Sequence, residues 1–258
     1  MELVEPFLSD SRVTYRRNPV NMGAAKLAEH WNLLLGLCSS DYVIVASDDD
    51  IYDKKFLEEV ESVLQNHPSV DLVHVRARVI DEHGFESLAD GPMNDYMSFK
   101  EHIIHYINPH SVLCIGNYVF RTAALTQSGG FVNLPLAWKA DSATAIMLSK
   151  AGVACPPDIL FSFRRSGINI STQHGDNETD KMKTEATLSF YSSSVLPLGL
   201  EPDILMSFQK KLGGEIRNYY HSFSRSEFLY VLKRMNHLEM FASIRNRVSF
   251  IWFWLKSK

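Results

Sequence analysis

One short stretch limits what the chain can fold into more than any other: an unbroken apolar run that stops at three consecutive aspartates. Tyr42–Ala46 (YVIVA) has the hydrophobicity of a strand buried on both faces, and Ser47 and Asp48–Asp50 follow it directly. Three adjacent carboxylates repel one another, and capping the predicted helix Phe56–Leu64 needs only one of them. Carboxylate oxygens suit Mg²⁺ or Mn²⁺, and α/β proteins bind ligands at the C-terminal edge of a parallel sheet. The stretch therefore predicts a divalent-metal site at such an edge.

The segments around this stretch alternate between strand-like and helix-like patterns. Arg12–Arg17 alternates as a strand does, Ala24–Leu37 has helical spacing, and Asp71–Ile80 is again strand-like. Further along, Asp141–Lys150 has a helical pattern, and the chain from Lys181 onward is helical almost to its end. This order of elements predicts an α/β sheet with crossover helices.

Composition excludes several classes of protein. Hydrophobic residues make up 45% of the chain and charged residues 22%, which argues against disorder. A formal net charge of −4 gives no reason to expect nucleic-acid binding. The three cysteines are scattered, which makes a disulfide framework improbable and favours a reducing cytoplasm. The sequence has neither a signal-peptide pattern nor an apolar run long enough to span a bilayer, so we expect a cytoplasmic protein.

The spacing of several motifs resembles a known family. In RVTYRRNPVNMGAAKLAEHWNLLLGLCSSDYVIVASDDDIYDKKFLEEV, a strand is followed by an N-x-G turn, a helix with a central Asn, a hydrophobic strand and an acidic motif. The matching residues are Asn18, Asn21, Gly23, Asn32 and Asp48–Asp50. From about residue 2 to about residue 175 the chain resembles the family 2 glycosyltransferases, which have the GT-A fold.

The resemblance implies roles for the acidic motif and the donor site. Asp49 would be the main ligand of a Mn²⁺ or Mg²⁺ ion, with Asp48 towards the nucleotide ribose, Asp50 in support and Asn21 at the donor site. Ser47 stands where the commonest form of the motif has Asp, so the register is open by one residue. The metal would neutralise the charge that grows on the departing nucleoside diphosphate.

A basic loop, FRRSGINISTQHG, occupies residues 163–175, near the end of the region that resembles the family. Its first arginines, Arg164 and Arg165, could close over a diphosphate. Members of the family often carry a mobile loop here, sometimes with a histidine near the metal. His174 is therefore either a metal ligand or an ordinary histidine of a solvated loop.

The stretch GNYVFRTAALTQSGGFVNLPLAWKADSATAIMLSKAG resembles the acceptor half of the family. Asp141 stands where inverting members carry the general base, although the usual Glu-Asp pair is Ala140-Asp141 here. The alternative role for Asp141 is the N-cap of the following helix. Gly129-Gly130 either lets an acceptor approach the backbone or forms a turn, and Trp138 either stacks on the acceptor sugar or packs in the core.

The family normally opens with a strand followed by x-x-Y-N and a second strand that ends in D-D-G-S, and neither motif occurs here. We therefore expect a GT-A-like mixed sheet flanked by helices in residues 1–180, incomplete at its N-terminus. Residues 181–258 would form a helical extension.

This extension is basic and aromatic. From Phe208 to Lys258 there are ten Lys and Arg against three Asp and Glu. Arg245, Arg247, Lys256 and Lys258 flank the apolar run Val248–Leu255, a pattern that suits a helix lying on an anionic membrane. The alternative for 245–258 is packing on the catalytic domain or a contact between copies of the chain.

These features together predict transfer of a sugar from a nucleotide-sugar donor, in the first place a UDP-sugar, to a glycan or lipid-linked acceptor. The expected outcome is inversion, with Asp141 as base and a metal at the leaving group. A nucleotidyltransferase also needs paired carboxylates and a metal, but the glycine-rich phosphate loop it requires is absent. A glycosyltransferase-like scaffold without activity is the non-enzyme alternative.

Overall fold

The computed structural model describes residues 4–167, 169–173, 175–219, 222–241 and 244–256. Within them the strands form two mixed sheets, as expected for the α/β class. In chain order the strands are β1 (Tyr42–Val43), β2 (Ile51–Tyr52), β3 (Leu72–His74), β4 (Arg76–Ile80), β5 (Glu86–Ala89), β6 (Tyr96–Met97), β7 (Tyr118–Arg121), β8 (Val153–Ala154) and β9 (Ile159–Arg164).

The first sheet has the order β1-β7-β3-β8-β6, and the second has the order β2-β9-β4-β5. Each sheet contains one parallel pair, β3 with β8 and β4 with β9, and its other pairs are antiparallel. The acidic turn lies between β1 and β2, and therefore at the point where the chain passes from one sheet to the other.

Helices surround the two sheets. The α-helices of the described residues are α1 (Leu27–Leu35), α2 (Phe56–Asn66), α3 (Phe99–Ile107), α4 (Thr122–Gln127), α5 (Ala140–Leu148), α6 (Asn177–Phe190), α7 (Pro202–Tyr219), α8 (Arg225–His237) and α9 (Ile244–Lys256). The helical patterns expected around α1, α2 and α5 and after Lys181 are confirmed. None of the described helices combines the length and apolar character needed to cross a bilayer.

The segment Asp71–Ile80 differs from the single strand that its pattern predicts. It forms β3 and β4, which belong to different sheets. Between them, the backbone N–H of Val75 donates to the carbonyl of Asn117 at 2.9 Å, instead of continuing a ladder. The segment pairs with β7 and β8 before Val75 and with β5 and β9 after it, so one extended segment joins the two sheets.

Two other predicted strands are shorter or absent. Arg12–Arg17 is exposed and belongs to no ladder, because no described strand lies beside it to accept its hydrogen bonds. Of Tyr42–Ala46, only Tyr42–Val43 is paired, and this strand is half-buried. The prediction of burial on both faces is wrong because β1 is an edge strand that pairs with β7 alone.

The C-terminal helices share a hydrophobic core with the first sheet. The ring of Tyr106 in α3 stacks on Phe208 of α7 with ring centres 5.2 Å apart. Phe208, Leu212 and Ile216 line one face of α7, and each is fully buried. This shared core fixes α7 against the part of the chain that carries Asp141.

Candidate active site

The acidic turn is anchored at its last residue. An Oδ1 oxygen of Asp50 accepts the backbone N–H of Arg164 at 2.9 Å, and the pairing of β2 with β9 begins at the next residue. Burial raises the pKa of the Asp50 carboxyl, and the charge of Asp49 adds to the rise, whereas the Arg164 N–H opposes it. A side-chain hydrogen bond from Ser47 also holds the Asp50 carboxylate and opposes the rise of its pKa.

Arg164 is the last residue of β9, and its side chain braces the turn. Its Nε donates to the carbonyl of Asp49 at 3.0 Å, and Nη1 donates to the carbonyls of Asp81 and Glu82 at 3.1 and 3.3 Å. Nε and Nη1 of Arg164 are therefore bonded to backbone carbonyls. Binding of a diphosphate by Arg164 stays a prediction, and Nη2 is the nitrogen that would donate to it. The side chain of Arg165 is exposed, and its backbone N–H continues the ladder to Ile80.

The loop after β9 reaches back to the acidic turn through Asn169. The Asn169 Nδ2 donates to Oδ2 of Asp49 at 3.2 Å, while its Oδ1 accepts the hydroxyl of Ser166 at 3.0 Å. Sequence reasoning missed Asn169, although it lies inside the basic loop that the sequence singled out. Asp48 is exposed beside this contact. His174, predicted as a metal ligand, lies outside the described residues, so its role stays a prediction.

Lys183 of α6 hydrogen-bonds the same loop through its ammonium group. This lysine is fully buried, and its Nζ donates to the carbonyls of Ile170 and Gln173 at 2.6 and 2.5 Å. The same ammonium lies 4.8 Å from the ring centre of Trp138, a half-buried residue shortly before α5. Lys183 thus connects the loop at Asp49 with the segment that leads to Asp141.

A groove of about 550 Å³ runs along the N-x-G turn. Asn18, Asn21, His30 and Ile170 are among its lining residues. The Asn21 Oδ1 accepts the backbone N–H of Gly23 at 3.0 Å, which shapes the turn. Because Ile170 follows Asn169 directly, the groove and the acidic turn share one loop.

The two stretches that carry the family resemblance are joined by Asn32. Its amide donates to the carbonyl of Phe131 at 2.9 Å, and its Oδ1 accepts the Phe131 N–H at 2.7 Å. Gly130 has φ +88°, and a Cβ there would lie 2.3 Å from the Asn32 Oδ1. Of the two roles considered for Gly129-Gly130, the structure shows the turn.

Asp141 lies in the first turn of α5 and not at its cap. The cap position belongs to Lys139, whose side chain makes no capping bond, so the predicted N-cap role is wrong. An Oδ1 oxygen of Asp141 accepts the N–H of Ser142 at 2.6 Å. Burial raises the pKa of the Asp141 carboxyl, and the Ser142 bond and the charge of Lys139 oppose the rise. A raised pKa is the direction expected of a general base.

Cys114 is a thiol whose protonation responds to the charges of both predicted acids. Burial raises the pKa of the Cys114 thiol, and the charges of Asp50 and Asp141 both add to the rise. Tyr52 closes this region by donating its hydroxyl to the carbonyl of Gly116 at 2.9 Å. Tyr52 follows Asp50 by two residues, so this bond joins the acidic turn to the segment that contains Cys114 and Gly116.

The acidic turn has the donor chemistry that Mg²⁺ and Mn²⁺ require. Asp49 uses Oδ2 in the bond to Asn169 and keeps Oδ1, while the Asp50 carboxylate accepts the Arg164 N–H and a bond from Ser47. Over the described part of the chain, no three His, Cys, Asp or Glu side chains converge on a common point. Mg²⁺ is commonly held by one or two carboxylates with phosphate oxygens of the substrate, so this set fits such an ion.

Comparison with known proteins agrees with the fold and the motifs. Residues 2–127 match the model of glycosyl transferase family 2. The crystal structure of S. aureus TarS 1–349 in complex with UDP-GlcNAc aligns with a TM-score of 0.53 at 12% identity, over 99% of this chain and 77% of that one. The structure of S. aureus TarS 1–349 gives a TM-score of 0.52 at 11% identity, over 100% of this chain and 78% of that one. Among curated proteins, none matches the sequence.

The family match includes the N-x-G turn, Asn32 and the acidic turn, whereas Asp141 and the loop of Asn169 lie beyond it. The structural likeness extends over both regions and identifies the fold. Residues 2–127, just under half of the chain, match glycosyl transferase family 2, and the fold of the chain is the GT-A fold.

Proposed function

We propose that the protein transfers a sugar from a nucleoside-diphosphate donor, in the first place a UDP-sugar, to a hydroxyl of a glycan or lipid-linked acceptor. The match of residues 2–127 to glycosyl transferase family 2 supports glycosyl transfer. The TarS structure that shares the fold was obtained with UDP-GlcNAc, which supports a nucleotide-sugar donor. The observation that carries the proposal is the contact of Lys183 with both the loop that holds Asp49 and Trp138, three residues before Asp141.

On the donor side, Asp49 and Asp50 would hold Mg²⁺ or Mn²⁺, which would neutralise the charge that grows on the leaving diphosphate. Asn169 orients the Asp49 carboxylate through the 3.2 Å bond, and the Arg164 N–H orients Asp50. Asp48, exposed beside them, is the residue we assign to the nucleotide ribose. The groove lined by Asn18 and Asn21 supplies amide groups for the rest of the nucleotide.

On the acceptor side, Asp141 would take the proton of the attacking hydroxyl. The acceptor oxygen forms a bond to the anomeric carbon, and the bond from that carbon to the diphosphate oxygen breaks. The electron pair of the broken bond leaves with the diphosphate, and the proton passes to the Asp141 carboxylate. Attack from the face opposite the diphosphate inverts the anomeric configuration.

The experiment that tests this function follows both products. The full chain is incubated with Mn²⁺ and a panel of nucleotide sugars, with and without simple glycan acceptors, and ³¹P and ¹H NMR follow the diphosphate and the anomeric proton. Release of nucleoside diphosphate with an inverted product or free sugar is the expected result. Absence of any release or nucleotide binding across the panel would contradict the proposal and favour an inactive scaffold.

We further propose a peripheral contact of α9 with an anionic membrane. One face of the helix is occupied, because Phe250 and Trp254 stack on Phe228 of α8 with ring centres 5.6 and 4.3 Å away. The side chains of Val248, Trp252 and Leu255 are 58%, 48% and 62% exposed.

The charge of α9 suits this contact. The Lys256 ammonium lies 4.0 Å from the ring centre of Trp252, and α9 contains no acidic residue. An apolar stripe with adjacent cations suits the headgroup region of an anionic bilayer. This supports the inner face of a membrane as the place of action, whereas a contact between copies of the chain is the competing outcome. Lys258, part of the predicted basic flank, lies outside the described residues.

A further inference from the structure

The segment that leads into α5 is unusually strained. Leu136, Ala137 and Lys139 have φ of 59°, 50° and 68°, although none of them is a glycine. Residues with a Cβ seldom adopt this left-handed backbone, and the conformation persists only where surrounding contacts enforce it. Leu136 and Ala137 are buried in the core, which accounts for two of the three. Lys139 needs another restraint, and Asp141 follows two residues later.

That restraint is an ion pair with α7. The Lys139 Nζ lies 2.9 and 3.0 Å from the two carboxylate oxygens of Glu215, 76 residues further along the chain. The two side chains are only 14% and 22% exposed. The same ammonium lies 5.2 Å from the ring centre of Trp138 and 6.0 Å from that of Tyr106. A partly buried pair with these neighbours has little freedom to rotate.

Helix α7 is itself held against α3 next to this pair. The Lys211 Nζ donates to the carbonyl of Tyr106 at 2.7 Å, and the Tyr106 ring stacks on Phe208. Lys211 and Glu215 are one helical turn apart, so α7 presents both groups on one face. The core contacts of α7 therefore fix the position of Glu215 independently of its ion pair with Lys139.

We propose that Glu215 and Lys139 are positioning residues, through which α7 sets the first turn of α5 and the direction of the Asp141 carboxylate. This inference rests on the proposed function, in which Asp141 is the base. It gives the C-terminal helical segment a part in the acceptor site, although that segment lies outside residues 2–127.

The pair also acts on the protonation of Asp141. The charge of Lys139 favours the ionised carboxylate and opposes the effect of burial on its pKa. The groups whose charge states couple to Asp141 or to Lys139 lie on several elements and include Lys139 itself, Tyr106, Cys114, Tyr118, Lys211, Glu215 and Tyr219. Among them, Lys139 is the cation next to Asp141 in the sequence, so its removal should raise the Asp141 pKa.

The kinetic test uses variants in the full chain that remove one charge of the pair. Glu215→Gln and Lys139→Gln should each lower kcat about 10- to 100-fold, because a base displaced by about an ångström loses this much. The donor KM and the UDP affinity from calorimetry should change less than about 2-fold, while Lys139→Arg should restore most of kcat. The matched control is Glu201→Gln, which removes the exposed pair of Glu201 with Lys100 at 2.8 Å and should leave kcat unchanged.

A second measurement does not depend on activity. Carboxyl ¹³C NMR follows the titration of Asp141, assigned by its loss in Asp141→Asn, and Lys139→Gln should move that titration to higher pH. An unchanged Asp141 titration in Lys139→Gln together with unchanged kcat in Glu215→Gln would overturn the inference. If Lys139→Gln does not fold, Glu215→Gln decides through kcat and the donor KM. If the wild-type chain transfers no sugar, the proposed function fails, and the Asp141 titration still decides whether Lys139 acts on Asp141.

Discussion

The Asp50 carboxylate accepts the backbone N–H of Arg164 at 2.9 Å, across 114 residues of sequence. This bond closes the acidic turn against the last residue of β9, and the Arg164 side chain holds the carbonyl of Asp49 from the same strand. The shape of the turn therefore depends on contacts with a distant strand as well as on its own residues. Repulsion among three adjacent carboxylates is tolerated because a distant strand fixes the backbone that carries them.

Replacing Asp49 tests the donor side. Asp49→Ala removes one proposed metal ligand, so the enhancement of UDP affinity by Mn²⁺ should be lost, because the metal bridges protein and diphosphate. Titration calorimetry with UDP, with and without Mn²⁺, measures the effect. Asp53→Ala, three residues after the acidic turn, is the control and should keep the enhancement. Equal UDP affinity with and without metal in the wild-type chain would remove Asp49 from the site.

Asn169 orients Asp49 and should therefore affect metal affinity without contacting the metal. Groups that hydrogen-bond a metal ligand typically contribute 10- to 100-fold to affinity, so Asn169→Ala should weaken Mn²⁺ binding by about 10-fold or more. Competition with a fluorescent chelator measures the affinity. Asn66→Ala, at the exposed end of α2, is the matched control. A metal affinity unaffected by Asn169→Ala would mean that the 3.2 Å bond only orders the loop.

The buried histidines predict a loss of stability in acid. Burial lowers the pKa of His102 to about 3 and that of His105 to about 4, from an ordinary 6.5. Since the unfolded chain binds these protons and the native chain does not, stability is complete above pH 6.5 and falls as the pH drops towards 4. Each such histidine costs about 2 kcal/mol of unfolding free energy at pH 5.

His102→Phe isolates one of these groups. Neither ring nitrogen of His102 has a hydrogen-bond partner among the described residues, so the variant should fold and lose part of the acid sensitivity. Urea unfolding at pH 7 and pH 5 measures the difference. The control is His83→Phe, because the His83 side chain is 71% exposed. Its stability difference between pH 7 and pH 5 should equal that of the wild type. A pH dependence in His102→Phe equal to that of the wild type would contradict the assignment.

The exposed stripe of α9 can be separated from its packed face. Val248→Ser with Leu255→Ser should reduce sedimentation with anionic vesicles and leave the melting temperature nearly unchanged, because both side chains face solvent. Phe250→Ala should instead destabilise the fold by about 3 kcal/mol or more, since Phe250 packs on Phe228. Full-length protein that stays in the supernatant at low salt, and forms dimers in ultracentrifugation, would identify the stripe as a contact between copies.

The local sequence pattern predicts helices and strands that depend only on residues near in the chain. The apolar spacing predicts a helix over Phe56–Leu64, and the structure has one over Phe56–Asn66, because this spacing alone determines the buried face. The division of Asp71–Ile80 between two sheets could not be predicted, since both halves alternate in the same way. What divides them is the bond of Val75 to Asn117, which exists only in the folded chain.

In the candidate site, too, residues in local patterns could be predicted and residues that act over long sequence distances could not. Asp48–Asp50 and Asp141 stood out because their neighbours form recognisable patterns. Asn169 and Glu215 did not, because each acts on a residue far away in sequence: Asp49, 120 residues distant, and Lys139, 76 residues distant. A polar side chain in a loop or on a helix gives no sign in the sequence of which distant group it will meet.

The most direct test of the account is the kcat of Asp141→Asn. Asparagine keeps the size of the side chain and can still accept the Ser142 N–H, so the variant should fold and bind UDP as the wild type does. Loss of a general base should lower kcat by about 10²- to 10⁴-fold. Single-turnover measurement of sugar transfer with wild type and Asp141→Asn gives this ratio. A drop of that size with unchanged UDP affinity is the predicted result, and transfer at the wild-type rate would contradict the account.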